Sequence, residues 1–321
     1  MEHKQQDIQN RFDVILQEVQ REVQDAHTQT KRRQNLIKLI EGRFGTKLLV
    51  YVAKINYPID YNDIHLIGSM LESVGETDNI DLLIQSGGGV GTVAEKIVEM
   101  IRAYCKKQFR VIVPNLAKSA ATMVALASDK IIMGVTSELG PIDAQVQIIQ
   151  GGVQQFISAQ SFIHARDRLE TLTNQSIQEG KPYQAYLAQL SAMDSGFIDH
   201  CEKSMAFAKD FARKYLSEHM LKQMPGAREL ADAIANDLTS TSKYFTHGRT
   251  IDIRHIKDAS DDNKLKHLAV EEFKKESDDW KLLFELYLRS ELFLDMDNSP
   301  QQRKGKLFET GAFSMVTSFP A

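Results

Sequence analysis

From Lys47 onward the chain alternates short apolar runs with segments of helical spacing, and this alternation constrains its fold more than any other feature. LLVYVAKI (48–55), IDLLIQS (80–86), RVIVP (110–114) and KIIMG (130–134) are apolar, β-branched runs of strand length. Between the first two, Asp60 or Asn62 can cap a helix that buries Ile64, Ile67, Leu71 and Val74. Between the next two, Val90, Val93, Ile97, Ile101 and Tyr104 fall on one helical face. Short apolar strands separated by helices predict a parallel sheet covered on both faces, an α/β core.

The flanks read differently. Residues 1–45 read as a helical arm, with Ile8, Phe12, Ile15, Leu16, Val19 and Val23 on an apolar stripe that suits a contact with the chain's own core or with a second subunit. After Gly151 the chain reads as mainly helical, with a charged helix from about Lys264 to Phe293 and an uneven, loosely held tail. The expected division is therefore an arm over 1–45, a core over 46–260, and a C-terminal helix and tail over 261–321. The 39 basic against 43 acidic residues leave a net charge of −4 without a basic block, which argues against nucleic acid as the partner. No apolar run approaches the ~20 residues of a membrane span. The polar N-terminus and two distant cysteines, Cys105 and Cys201, point to the cytoplasm.

Chemistry is expected where strands end and helices begin. SGGGVG (86–91) sits at such a junction, and its glycines let the backbone turn sharply and present bare N–H groups. It lacks the spacing of a phosphate-binding loop, which leaves an oxyanion hole or a plain tight turn. One unit later, NLAKSAATMVALAS (115–128) surrounds Ser119 with small residues at the start of a helix. Ser119 can be a helix cap, or a nucleophile whose small neighbours let a substrate backbone lie close.

IQSGGGVGTVAEKI, VPNLAKSAATMVALASDKIIMG and ELGPIDAQ, in this order, resemble the serine dehydrogenase proteinase family, over about residues 40 to 260. That family is a distant branch of the superfamily that holds the Clp protease subunit, signal peptide peptidase A and the crotonases. The resemblance implies a spiral core of repeated β-β-α units and a cytoplasmic serine endopeptidase that needs no cofactor. Its substrate would be a peptide or protein, and the superfamily's habit of ring assembly implies a homo-oligomer. Carried over, Ser119 is the nucleophile, and Gly89 and Ala120 supply the oxyanion N–H groups. The family's Ser, Asp, His order points to Asp143 in GPIDAQ and His247 in YFTHGRTI. Where the family has proline after that aspartate, this chain has Ala144, which loosens the turn without removing the carboxylate.

Read from the residues alone, Asp143 can be a turn residue after Gly140-Pro141, and His247 a turn histidine beside Gly248. Alternative bases are His164, on a helix beside Arg166 and Arg168, and Lys118, whose place next to Ser119 should point it elsewhere. No metal site is indicated, since the chain has no H-E-x-x-H and no cysteine cluster. Two other functions remain open: a crotonase-like acyl-thioester enzyme, and a non-catalytic oligomeric scaffold of the same fold.

Overall fold

The computed structural model describes residues 13–21, 25–150, 153–244, 246–295 and 302–320. A helix over 13–21 (α1) precedes α2 (Ala26–Phe44), whose start is capped by the Asp25 side chain and whose end turns at Gly45 in the left-handed region. Ile15 and Val19 of the expected stripe are buried, while Ile8, Phe12 and Val23 lie outside the described residues.

The alternation read from the sequence then follows: β1 (Lys47–Ala53), α3 (Tyr61–Val74), β2 (Thr77–Gln85), α4 (Gly91–Tyr104), β3 (Cys105–Val113), β4 (Leu116–Ala117), α5 (Ala120–Leu126) and β5 (Lys130–Met133). Asp60, rather than Asn62, caps α3, and Asp63 returns the bond to the Asp60 amide in a reciprocal capping box. β1, β2, β3 and β5 pair in parallel.

The pleat of β1 sorts its side chains between two cores. Leu49, Tyr51 and Ala53 join the apolar residues of α3, α4 and α5 on one face. Leu48, Val50 and Val52 join Ile37 and Ile40 of α2 on the other.

The next elements are β6 (Glu138–Leu139), the hairpin β7 (Gln145–Gln150) and β8 (Val153–Ser158), α6 (Ala159–Gln178), α7 (Gln184–Ser191), α8 (Ser195–Tyr215) and α9 (Ala227–Thr239). Residues 145–150 and 153–158 are thus antiparallel strands, and the helix expected after Gly151 begins only at Ala159. The glutamine-rich strands of this hairpin lack the apolar run by which the core strands are read.

Then come α10 (Thr241–Tyr244), β9 (Ile251–Asp252), α11 (Ile253–Lys257), β10 (Val270–Glu272), α12 (Asp278–Asp295), β11 (Gln302–Glu309) and β12 (Ser314–Pro320). Two expectations fail here. The charged helix starts at Asp278 rather than Lys264, because residues 270–272 add a parallel strand beside β5. The supposed loose tail is the antiparallel pair β11–β12, and β11 lies against β1, so the main sheet runs β10-β5-β3-β2-β1-β11-β12. Leu283, Leu286 and Leu294 of α12 complete the second core beside α2.

After each long strand the chain makes a short second pairing. Ile59 bridges Gly89, Ser86 bridges Ala117, and β4, β6 and β9 form a small sheet in that order. A long strand, a short strand and a helix, repeated along a spiral, make the β-β-α core. No helix among the described residues is long and apolar enough to cross a membrane.

Candidate active site

The small sheet brings three distant segments together. β4 runs into Ser119, β6 leads by four residues into Asp143, and β9 begins four residues after His247. Leu116 and Ala117 register with Glu138 and Leu139, and those two register with Asp252 and Ile251. Three segments from separate parts of the chain are thereby fixed by backbone pairing.

Ser119 has φ 51° and ψ −118°, the only non-glycine residue of positive φ among those described. A side chain in this region strains the backbone by on the order of 1–3 kcal/mol, and such strain gathers at functional sites. The half-buried Ser119 makes no capping bond to α5. Its neighbours show why they must be small. A Cβ on Gly88 would lie 2.7 Å from both Ser119 Cβ and the Lys118 carbonyl oxygen, and 3.3 Å from the Ala120 nitrogen.

The glycine loop is held from behind. Ile59 donates its N–H to Gly88 O (2.8 Å), and Val90 donates to Ile59 O (2.9 Å). In this parallel bridge the N–H of Gly89 points away from Ile59. A Cβ on Gly89 would lie 2.3 Å from Ile59 O, so only glycine fits. Neither Gly89 N–H nor Ala120 N–H has an acceptor among the described residues.

Behind Ile59, Lys306 Nζ donates to Asp60 Oδ2 (2.7 Å) and to Asp63 Oδ1 (2.8 Å), and Tyr51 donates its hydroxyl to Asp63 (2.9 Å). Burial tends to raise the Asp60 carboxyl, but Lys306 and the Asn62 amide outweigh it and hold the group below its ordinary value. Burial wins at Asp63, which is raised despite the same lysine.

Asp143 is 2% exposed, and its Oδ1 accepts a 2.8 Å bond from Nδ1 of His247, 104 residues away in sequence. Asp143 Oδ2 is buried without a partner among the described residues. His247 and Ser119 share no hydrogen bond here. Of the alternative bases, His164 lies exposed on α6. Lys118 is buried, with its ammonium on Leu139 O (3.0 Å), Arg249 O (3.4 Å) and Glu138 Oε1 (2.9 Å). No group of three metal-ligating side chains occurs among the described residues.

Sequence reasoning named Ser119, Gly89, Ala120, Asp143 and His247 but missed the parts of Gly88 and Glu138. The run of three glycines was the available signal for Gly88. Glu138 carries none.

A family model described as a ClpP-like SDH-type serine proteinase matches residues 6–167, just over half of the chain. The chain belongs to this family. Its similarity to curated proteins is local. It is 45% identical over 67 residues to the uncharacterised protein MJ0137 of Methanocaldococcus jannaschii, covering 21% of this chain and 23% of that one. To MJ1495 of the same organism it is 29% identical over 125 residues, covering 36% and 42%. The chain thus spans less than half the length of either relative.

Among solved structures, a mutant of the 1510-N membrane-bound stomatin-specific protease is 19% identical, with 44% of this chain and 68% of that one covered at a TM-score of 0.28. ClpP1 from Listeria monocytogenes is 22% identical, with 49% and 84% covered at 0.25. Both likenesses are distant. Membership of the proteinase family agrees with the spiral α/β core and with a serine peptidase function.

Proposed function

We propose that this protein is an endopeptidase that opens peptide bonds through an acyl-enzyme on Ser119. The observation that carries the proposal is the 2.8 Å bond between His247 Nδ1 and the buried Asp143, two residues that lie 104 apart in the sequence.

In this reading Ser119 Oγ attacks the scissile carbonyl carbon while His247 Nε2 takes its proton. Asp143 holds the imidazole with Nε2 free and stabilises the imidazolium. The carbonyl π electrons move onto oxygen, which the N–H groups of Gly89 and Ala120 receive. As the tetrahedral intermediate collapses the C–N bond breaks, and the leaving amine takes the proton from His247. Water, deprotonated by the same histidine, then attacks the ester carbon; the carbon–Oγ bond breaks, the acid leaves and His247 returns the proton to Ser119 Oγ. The strained turn at Ser119 and the unfilled N–H groups support these roles.

The substrate would be an extended peptide. The free thiols Cys105 and Cys201 favour the cytoplasm, and exposed apolar side chains on the outer helices favour a homo-oligomer.

Intact-mass measurement after treatment with a reactive fluorophosphonate tests the chemistry. One adduct on the wild type, absent from Ser119→Ala and slowed about 1,000-fold or more in His247→Ala, is the expected result. A folded wild type that takes no adduct overturns the proposal in favour of a non-catalytic scaffold.

A further inference from the structure

Lys118 is the buried cation beside Ser119, and its surroundings define its chemistry. An ammonium has three N–H donors. Here it meets three acceptors: the carbonyls of Leu139 and Arg249 and the carboxylate of Glu138. With its donors so engaged, Lys118 makes no hydrogen bond to Ser119.

The three contacts lie on the segments that bear the site. Lys118 precedes Ser119, Leu139 stands four residues before Asp143, and Arg249 stands two residues after His247. The lysine stem also packs against Gly140, where an added Cβ would lie 2.7 Å from Lys118 Cδ. A second tie runs in parallel: Thr122 Oγ1 donates to Ala117 O (2.6 Å) and accepts from Gly140 N (3.1 Å). This second tie joins only the serine and aspartate segments. The backbone pairing of the small sheet stops at β9. The turn that carries His247 lies beyond it, and Lys118 is the side chain that reaches back to Arg249.

We infer that Lys118 is a positioning residue: its ammonium fastens the His247 turn to the Ser119 and Asp143 segments and so sets the His247–Asp143 pair relative to the nucleophile. This rests on the peptidase reading only for its effect on rate. The geometry of the pair can be read without any activity.

The experiment compares full-length wild type, Lys118→Met and Glu138→Gln by two measurements. One is the rate of fluorophosphonate labelling. The other is the low-field NMR signal of the His247 Nδ1 proton, assigned by its absence in His247→Ala. In Lys118→Met that signal should be lost or shifted to the value of a solvent-exposed imidazole, and labelling should slow roughly 100-fold, the scale of a misplacement of about 1 Å. Glu138→Gln keeps the carbonyl contacts and removes one charge, so labelling should slow by about 3- to 10-fold.

A folded Lys118→Met with wild-type signal and labelling overturns the inference. Should Lys118→Met not fold, wild-type labelling by Glu138→Gln overturns it instead. A wild type that shows the His247 signal but never labels sinks the peptidase reading alone, and the NMR comparison still decides the role of Lys118.

Discussion

Ser119 is held at a backbone conformation that its side chain opposes. Two neighbours enforce it: Gly88, whose missing side chain lets the glycine loop press on the serine turn, and the β4–β6 pairing just before it. Replacing Ser119 by Gly removes the steric strain but adds chain entropy to the unfolded state, whereas Ala keeps the strain. Ser119→Gly should therefore be more stable than Ser119→Ala by about 1 kcal/mol, and both should be inert to fluorophosphonate. Urea unfolding of the two variants measures the difference. Equal midpoints would mean that the turn is unstrained.

At the scale of elements, β11 does more than extend the sheet. Its Lys306, 1% exposed, ends in the carboxylates of Asp60 and Asp63 at the start of α3, directly behind Ile59 and the glycine loop. Lys306→Met strands a buried carboxylate at Asp63, which should cost roughly 3 kcal/mol or more at neutral pH. Asp63 is already raised by burial, and without its lysine it rises further. A carboxyl raised in the folded state gains stability as the pH falls through that value and loses it as the pH rises. The deficit of Lys306→Met should therefore shrink on going from pH 7 towards pH 4. Thermal unfolding across that range checks the sign, and a deficit that is constant or grows in acid contradicts it.

Across the whole molecule, the described ends of the chain are tied together. Arg33 of α2 makes a bidentate pair with Glu309 of β11, both buried, and its guanidinium lies 4.2 Å from the centre of the Phe293 ring. α2 and α12 thus cover one face of the main sheet while α3, α4 and α5 cover the other. On its outer surface, Val14 on α1, Leu39 on α2 and Ile149 on the β7–β8 hairpin are 53%, 55% and 72% exposed. Exposed side chains of this kind can join a contact between copies of the chain. Sedimentation equilibrium at micromolar concentration should give a mass of at least two chains, falling in Leu39→Glu or Ile149→Glu. A monomeric wild type would place those residues at ordinary surface.

Most of the core could be read from the sequence because its information is local. Strand runs such as IDLLIQS, the cap at Asp60 and the small residues around Ser119 each act within a few positions. The motif likeness to the proteinase family rests on the same local stretches, and it supplied Asp143 and His247 as candidates that spacing alone leaves ambiguous. Other features depend on partners far along the chain. QRKGKLFE reads as polar and loose until Asp63, 243 residues earlier, neutralises Lys306, and Glu309 is buried because Arg33 waits for it. Lys118 could be read as a base or a surface charge until three acceptors converged on it. The sequence by itself determined the strands and helices of the parallel core, since periodicity is a property of neighbouring residues. Only the tertiary structure decided which carboxylate meets which histidine and where each buried charge is satisfied, because those energies exist only once distant segments share the same low-dielectric space.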